Sequence, residues 1–470
     1  MNKLKPITLP GPGSDRFSSI DPLDSRYYDP DVARHLSERS RIAYQAHVEA
    51  ALGYTLADFG ICSPEVAKKI EAATKKVTVE AVYEEEQTTR HDIKALVNCI
   101  KANLPSDAQP YVHFGATSYD IVTSATSLQF RAATAELIVP RLEELITTLL
   151  VLTKNYAKVP QIGRTHGQHA VPVTFGFAMA EYVSRLGNSL QAIKDLSASL
   201  PGKFSGAVGA YNALGIFVDD PVKFEAHLLD YLGLQPADYS TQIIPPENMI
   251  RLIDELAITA GIMANLAHDM RHLQRTEIAE VRERFEPGQT GSSTMAHKRN
   301  PWNFENIISM AKQVSAQTLN ANLNISSEHQ RDLTDSASSR FYTIVFAGVA
   351  SMAQRLSRVM GNLEIDEANM KRNLYMSRGA IAAEPLYLLL EKHGHTSAHE
   401  AVKVLAHEAL AKQLPLHEIV QRNKKLTPYW KKFSRQEQFL IKSPEASYTG
   451  LAGKKALAIH AYWHKQLNRS

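Results

Sequence analysis

The stretch IVPRLEELITTLLVLTKNY, residues 138–156, decides the fold that the sequence predicts. Its apolar residues recur at alternating steps of four and three, as at Ile138, Leu142, Leu145 and Leu149. This heptad step keeps one face of an α-helix against a neighbouring helix. The stretch is therefore expected to form one long helix of a packed bundle.

Three other segments repeat this spacing. Their apolar positions are Met179, Val183, Leu186, Leu190 and Ile193; Leu252, Leu256, Met263, Leu266, Met270 and Leu273; and Val345, Val349, Met352, Leu356 and Leu363. With a further helix expected near residues 304–323, the sequence predicts five long helices, several of about 25 to 35 residues and roughly 40 to 50 Å. No strand-rich segment, dinucleotide motif or P-loop is evident, so we expect an all-α chain. A monomeric globule would hardly cover such rods, so a bundle shared between subunits is implied.

The composition is that of a globular protein. Of the 470 residues, 44% are apolar and 21% are charged, and the formal charge of +3 is too small to favour nucleic acid or an anionic membrane as a partner. A small molecule is the expected partner. The two cysteines, Cys62 and Cys99, and the lack of an apolar leader or a membrane-length apolar run favour the cytoplasm.

Polar residues gather at the ends of the predicted helices. The segments are Asp24-Ser25-Arg26-Tyr27, Thr89-Arg90-His91-Asp92, Thr117-Ser118, Gly163-Arg164-Thr165-His166-Gly167-Gln168, Ser240-Thr241-Gln242, Gly291-Ser292-Ser293-Thr294-Met295-Ala296-His297-Lys298-Arg299-Asn300-Pro301, and residues 331–340. Taken singly, each is also compatible with a solvated loop, a helix cap or a surface ion pair; Thr117 or Ser118, for example, can cap the helix that follows. We expect the segment around His166 to be a loop leading into a helix.

Two of these segments indicate chemistry most directly. Residues 291–301 combine hydroxyls, cations, an imidazole and an amide between helix breakers, which predicts a mobile loop with a polar target. Arg331 and Arg340 bracket four hydroxyls, a set that can converge on a phosphate. His166 and His169 have the spacing of some metal ligands, but no third ligand accompanies them, which disfavours a zinc site.

In this order, the segments resemble the fumarase and aspartase superfamily of all-helical lyases that expel fumarate, and within it most closely the adenylosuccinate lyase family. The resemblance extends from about residue 21 to residue 340. Arg331, Ser336 and Arg340 separate this chain from fumarase and argininosuccinate lyase, because only a nucleotide substrate brings a phosphate. Three departures, Ala296 for proline, Val171 for an acidic residue and Thr123 for Asp or Asn, imply altered kinetics or substrate preference.

The resemblance implies a three-domain architecture and a homotetramer whose active sites draw on three subunits. The expected divisions are an N-terminal arm (1–20), an N-terminal helical domain (21–116), a central long-helix bundle (117–365) and a C-terminal helical domain (366–470). Neither a cofactor nor a metal ion is expected.

The reaction that the resemblance implies is removal of fumarate from adenylosuccinate, which leaves AMP, and from the succinyl-carboxamide imidazole ribotide of purine synthesis. Such a β-elimination needs a base, an acid and a cation for the charge that spreads onto a carboxylate. By resemblance, Ser292 is the base and His166 the acid. Lys298 and Asn300 stabilise the aci-carboxylate, and His91 holds or polarises the substrate near the departing nitrogen.

The remaining site residues are expected to bind the substrate. By resemblance, the phosphate is bound by Arg26, Tyr27, Arg331, Ser336 and Arg340, the succinyl carboxylates by Thr117, Ser118 and Gln242, and Arg90 and Asp92 belong to the same substrate-binding set.

Three alternatives stay open at this point. The chain can be a sister lyase acting on argininosuccinate, aspartate or malate, or a non-catalytic protein on the same scaffold. It can also be a metal hydrolase built on His91, His113, His166 and His169. A substrate panel and an elemental analysis distinguish these alternatives from the nucleotide lyase.

Overall fold

The computed structural model describes residues 19–285, 288–289, 291, 294–295, 297–331 and 333–468. These residues are mainly helical, so the predicted all-α fold class is confirmed. Most of the predicted arm, together with Ser292, Ser293 and Ala296, lies outside the described residues. No described helix is long and apolar enough to span a membrane.

The elements follow one another in this order. The first part of the chain forms α1 (Pro30–Leu36), α2 (Glu38–Asp58), α3 (Pro64–Thr74), α4 (Val79–Thr89), α5 (Asp92–Ala102), α6 (Ser118–Ala133), α7 (Val139–Asn155), β1 (Pro160–Thr165), β2 (Gln168–Thr174), α8 (Phe175–Ala198), α9 (Pro221–Tyr231) and α10 (Glu247–Leu273). The second part forms β3 (Val281–Arg282), α11 (Trp302–Leu323), α12 (Thr343–Gly361), β4 (Glu364–Ile365), α13 (Glu367–Tyr375), α14 (Ala383–Lys392), α15 (Ala398–Lys412), α16 (Leu416–Arg422), α17 (Thr427–Trp430), α18 (Arg435–Lys442), α19 (Pro444–Ser447) and α20 (Ala452–Leu467).

Contacts divide the chain into two compact units. Unit 1 comprises Met1–Arg141, Ser189–Ala260 and Met310–Met352, and unit 2 comprises Leu142–Asn188, Gly261–Ser309 and Ala353–Ser470. The four-part division of the sequence analysis stays a prediction.

The heptad positions form buried seams, as the sequence predicts. Leu142, Leu145, Val183, Leu256 and Val349 are all fully buried. Three of the predicted helices are shorter than expected, since α8, α11 and α12 have 24, 22 and 19 residues, whereas α10, with 27, falls in the predicted range.

The longest continuous helix runs from α6 through a π-helical segment, Thr134–Ile138, into α7. The helical segment of residues 30–58, in contrast, is divided in two. Ser37 adopts an extended backbone conformation and its hydroxyl accepts a hydrogen bond from the Ser40 backbone N–H, which ends α1 and starts α2.

The expectation of a loop around His166 is wrong. Residues 160–174 form an antiparallel hairpin, with Thr165 opposite Gln168 and a two-residue turn at its tip. His166 and Gly167 both have positive φ angles, 55° and 72°, the combination of a tight hairpin turn. A histidine at the first turn position hid this signal, since such turns usually place Asn, Asp or Gly there.

The basic, aromatic end of the chain is packed. Trp430, Phe433 and Ile441 are buried in a cluster with the residues of α14 to α16. Trp463 of α20 lies against Gly187 of α8 so closely that a side chain at 187 would meet the indole at 2.5 Å. Both contacts belong to unit 2.

Candidate active site

The first group of predicted site residues lies where α5 and α6 begin, in unit 1. His91 is the N-cap residue of α5, and its Nδ1 accepts a hydrogen bond from the Lys94 backbone N–H at 3.3 Å. Its Nε2 is then the ring nitrogen that carries the proton. This atom lies 3.5 Å from the Ser118 hydroxyl in the first turn of α6, so the fold brings two of the predicted segments together.

Asp92 and Arg340, far apart in sequence, are also neighbours. The Arg340 guanidinium donates to the Asp92 carboxylate at 3.2 Å, and Arg41 lies 3.9 Å from the same carboxylate oxygen. Arg41 is itself held by two hydrogen bonds to Glu38. Arg340 was predicted to bind phosphate; its side chain is 52% exposed and keeps donors that Asp92 does not use.

Tyr119 follows Ser118 and was not predicted as a site residue. Burial raises the pKa of Tyr119 to about 12, and the charges of Asp335 and Asp92 act in the same direction. The phenol therefore stays protonated at neutral pH and can act as a hydrogen-bond donor. Its position directly after two predicted substrate residues was the available sequence signal.

Thr117 occupies the N-cap position of α6, in agreement with the capping prediction. Its backbone N–H donates to the Asp120 carboxylate at 2.8 Å. Among the other predicted residues of unit 1, Arg26 and Arg90 are exposed and Tyr27 is partly buried. Arg90 ends α4 in a left-handed backbone conformation, with φ of 53°.

Gln242 and the segment after α11 form another contact of unit 1. The Gln242 backbone N–H donates to the Gln330 carbonyl at 3.4 Å. The Arg331 guanidinium donates to the carbonyls of Asn324 (3.0 Å) and Ile325 (3.2 Å), just beyond the end of α11. Arg331 thus satisfies carbonyls at a helix end, which the sequence did not predict, and its assignment to phosphate stays a prediction.

Ser336 lies in a turn near Arg331, and its backbone N–H donates to the Leu333 carbonyl at 3.0 Å. Its assignment to the substrate phosphate stays a prediction as well.

In unit 2, the hairpin presents His166 at its exposed tip. Its base is fixed by Glu280, whose side chain is fully buried. Glu280 accepts hydrogen bonds from Arg164 at 2.6 Å, Gln161 at 2.8 Å and Asn373 of α13 at 2.7 Å. A buried carboxylate with three donors ties strand β1 to α13, so the strand that leads to the imidazole at the turn has a rigid support.

His169 lies on β2, opposite Arg164 of β1. Burial lowers the pKa of His169, and the nearby charge of Arg164 lowers it further. No three His, Cys, Asp or Glu side chains among the described residues are placed to hold a metal ion.

The loop between α10 and α11 carries the other predicted residues of unit 2. The Asn300 side-chain amide donates to the Gly291 carbonyl at 3.0 Å, and the Lys298 backbone N–H donates to the Met295 carbonyl at 3.0 Å. A side chain at 291 would meet the Lys298 carbonyl at 2.1 Å, so the backbones of these two residues approach each other where only glycine fits. The Lys298 side chain is exposed. Ser292, between these residues, lies outside the described ones.

Glu283 fixes the carboxyl end of this loop. It is 1% exposed and accepts hydrogen bonds from the backbone N–H groups of Asn303 and Phe304 at the start of α11. Burial raises the pKa of Glu283, and these hydrogen bonds oppose that rise.

The His113–Glu49 pair in unit 1 was missed as a pair. His113 Nδ1 lies 2.6 Å from Glu49, whose second oxygen accepts the His113 backbone N–H at 3.0 Å. Burial alone lowers the pKa of His113, but the hydrogen bond and the charge of Glu49 outweigh it, and the pKa is raised. The sequence feature that could have indicated this pair is a carboxylate among the buried apolar positions of α2, since Ile42, Glu49 and Leu56 occupy one buried face.

Comparisons with known proteins first define the class of protein to which the chain belongs. A sequence model described as Lyase matches residues 28–316. The fold is similar to the crystal structure of a fumarate lyase from Mesorhizobium sp. BNC1, with a TM-score of 0.81 and 25% identity over 92% of this chain and 98% of that one. It is also similar to the 3-carboxy-cis,cis-muconate lactonizing enzyme from Pseudomonas putida, with a TM-score of 0.83 and 26% identity over 95% and 100% of the two chains. The chain has the all-α fold of the fumarase and aspartase superfamily.

Comparison with individual relatives then identifies the family within this class. A second model, described as Adenylosuccinate lyase C-terminal, matches residues 327–434. Adenylosuccinate lyase of Methanocaldococcus jannaschii is 32% identical over 444 residues, which cover 92% of this chain and 94% of the relative. That of Pyrococcus abyssi is 36% identical over 417 residues, 87% of this chain and 92% of the relative. The chain belongs to the adenylosuccinate lyase family.

Proposed function

We propose that the chain removes fumarate from adenylosuccinate and leaves AMP. The observation that carries this proposal is the alignment with adenylosuccinate lyases over nearly the whole chain, including the segment matched by the model for their C-terminal part. We also propose the same elimination from the succinyl-carboxamide imidazole ribotide. Both substrates carry a succinyl group on nitrogen and a ribose 5-phosphate.

The elimination breaks one C–N bond and one C–H bond. A base takes the proton from the carbon beside a succinyl carboxylate, and negative charge spreads onto that carboxylate. The new C=C bond of fumarate then forms as the C–N electron pair leaves with the nitrogen, which takes a proton from the acid. The site must therefore supply a base, an acid and a cation near the carboxylate.

His166 is proposed as the acid. Its support is the hairpin, which exposes the imidazole at a tight turn and whose strand β1 is fixed through Glu280. A general acid must stay within hydrogen-bond reach of the departing nitrogen, and a rigid support maintains that distance.

Ser292 is proposed as the base. Serine is a weak base in water, and each pKa unit of correction costs about 1.4 kcal/mol. The exposed ammonium of Lys298 and the backbone N–H groups of the loop are proposed to supply that correction once the loop closes over the substrate and excludes water. Lys298 and Asn300 are also proposed to stabilise the aci-carboxylate.

The substrate-holding residues are proposed as in the sequence analysis. His91 and Ser118 support this, since their side chains already meet at the start of two helices. Arg340 is proposed to bind the phosphate with donors that Asp92 leaves unused. Arg331 contributes charge to the same anion while its guanidinium remains on the carbonyls of residues 324 and 325.

We propose a cytoplasmic homotetramer whose active sites combine residues of several chains. An apolar surface of α10 and α11 in unit 1 supports the assembly. Ile258, Leu319 and Leu323 are 55%, 66% and 68% exposed. These helices are neighbours, since the Asn322 amide donates to Asp254 at 3.1 Å. Exposed apolar side chains on packed helices are typical of subunit interfaces.

The test is an assay of the purified protein with adenylosuccinate, followed by its ultraviolet change and by chromatography of the products. AMP and fumarate are expected in equal amounts, with argininosuccinate, aspartate and malate unchanged. Light scattering under assay conditions is expected to give the mass of a tetramer. Tetramers that form neither AMP nor fumarate reject the function, and turnover of a substrate without phosphate favours a sister lyase.

A further inference from the structure

A lysine and an aspartate form a fully buried ion pair beneath the predicted substrate residues of unit 1. Lys203, in the segment between α8 and α9, places its Nζ 2.5 Å from Asp120, in the first turn of α6. Neither side chain is exposed to solvent. Burial of two charges costs free energy unless each charge also makes further hydrogen bonds.

The Asp120 carboxylate gathers two segments of the chain. It accepts hydrogen bonds from the backbone N–H groups of Thr117 at 2.8 Å, Ser205 at 3.1 Å and Gly206 at 3.2 Å. The Lys203 ammonium also donates to the Gly206 carbonyl at 2.8 Å. One buried pair therefore fixes both the start of α6 and the loop 203–209.

The loop in turn contacts a third segment. The hydroxyls of Ser205 and Ser240 are 2.7 Å apart. A side chain at Gly209 would meet the Ser240 carbonyl at 2.1 Å, so the two backbones touch at a glycine with φ of 76°. Ser240 lies two residues before Gln242. The pair thus supports the segments that carry Thr117, Ser118 and Gln242, the three residues assigned to the succinyl carboxylates.

We propose that Lys203 is a positioning residue of this reaction: through Asp120, it holds Thr117–Ser118 and the loop 203–209 where the substrate's carboxylates bind. This rests on the proposed function. Lys203 is buried and touches no substrate, so it acts only through the groups that the pair holds. A buried charge pair suits this role because its hydrogen bonds permit one arrangement of the backbone N–H groups around it.

Two variants distinguish an effect on the placement of the substrate-binding segments from an effect on the stability of the fold. Lys203→Met keeps the length of the side chain but leaves the Asp120 charge buried without its cation, so Tm is expected to fall and kcat/KM for adenylosuccinate to fall about 100-fold. In the double variant Lys203→Met, Asp120→Asn, no buried charge remains and most of the lost Tm is expected to return. Its kcat/KM stays at least about 10-fold low, with a raised KM, because the amide has one acceptor oxygen for three backbone N–H groups.

Ile70→Ala provides the matched control. Ile70 of α3 is fully buried in the core of the same unit, so its truncation lowers Tm while kcat/KM at 25 °C is expected to match the wild type. The proposal is overturned if the double variant regains kcat/KM together with Tm, or if Lys203→Met loses Tm with unchanged kcat/KM.

Amide hydrogen exchange, followed by mass spectrometry, tests the placement of the segments without substrate. In both Lys203 variants, exchange is expected to accelerate in peptides covering 117–120 and 203–209, and in Ile70→Ala it is expected to stay unchanged there. Unchanged exchange in the double variant contradicts the proposal. A wild-type protein that leaves adenylosuccinate intact overturns the proposed function instead, and exchange then decides separately whether Lys203 fixes these segments.

Discussion

The hairpin β1–β2 and the loop between α10 and α11 both belong to unit 2, and both carry a proposed catalytic group, yet they are held differently. Glu280 fixes the hairpin through hydrogen bonds to both β1 and α13, and one of its donors is a cation. The loop is closed by the contact of Asn300 with Gly291 and fixed at its end by Glu283, which binds only neutral groups. The proposed acid, His166, thus lies on an element held by a charged contact, whereas the described residues on either side of the proposed base are held by neutral hydrogen bonds.

The largest expected effect is the loss of either proposed catalytic group. Ser292→Ala and His166→Ala are each expected to lower kcat about 1,000-fold, since each removes one proton-transfer partner. Because the proposed sites combine several chains, mixing the two inactive tetramers after gentle dissociation is expected to restore part of the activity. Full activity in either single variant contradicts the assignment of base and acid, and mixed tetramers without recovery contradict shared sites.

The next effect concerns the two buried carboxylates. Glu280→Gln removes the charge that faces Arg164 and is expected to lower the free energy of unfolding by about 3 kcal/mol. Glu283→Gln, its matched control three residues away, keeps a neutral acceptor for neutral donors and is expected to cost about 1 kcal/mol. Denaturant unfolding measures both values. Equal costs would show that the hairpin is not held more firmly than the loop.

The smallest expected effect is a pH dependence of the stability that His169 of the hairpin contributes. His169 has a lowered pKa in the folded chain, so the unfolded chain binds more protons between that value and about 6.5. Its contribution to stability is therefore complete above about pH 6.5 and is lost as the pH falls towards the folded pKa. Tm measured from pH 7.5 to pH 5 is expected to decline less in His169→Gln than in the wild type. Identical profiles contradict this contribution.

The sequence predicted those parts of the fold that depend on repeated local spacing. The seams of α7, α8, α10 and α12 follow directly from apolar steps of three and four, because a helix turns by a fixed angle per residue. The hairpin was missed because its strands are short and polar, with a pairing decided by a turn at His166 and Gly167. The lengths of α8, α11 and α12 were overestimated because apolar spacing does not say where a helix ends.

Within the candidate site, the sequence identified the polar segments but not their partners. The order of motifs indicated His91, Ser118 and Arg340, and the structure brings His91 to Ser118 and Arg340 to Asp92. The pairing of Lys203 with Asp120 joins residues far apart in the chain, and no local pattern predicts such a contact. Tertiary packing decides which buried charge meets which.

The π-helical segment Thr134–Ile138 has a consequence for the continuous helix that contains it. A π turn holds one more residue than an α turn, so it shifts the angular phase of everything beyond it by roughly 100°. Deletion of a single residue there would leave an ordinary, unbroken helix. The residues on both sides of the segment would keep their angular phase, because the wide turn accommodates one extra residue, whereas a deletion within α6 or α7 would rotate the residues beyond it by roughly 100°; residues 134–138 are therefore where this helix is expected to tolerate the loss of one residue.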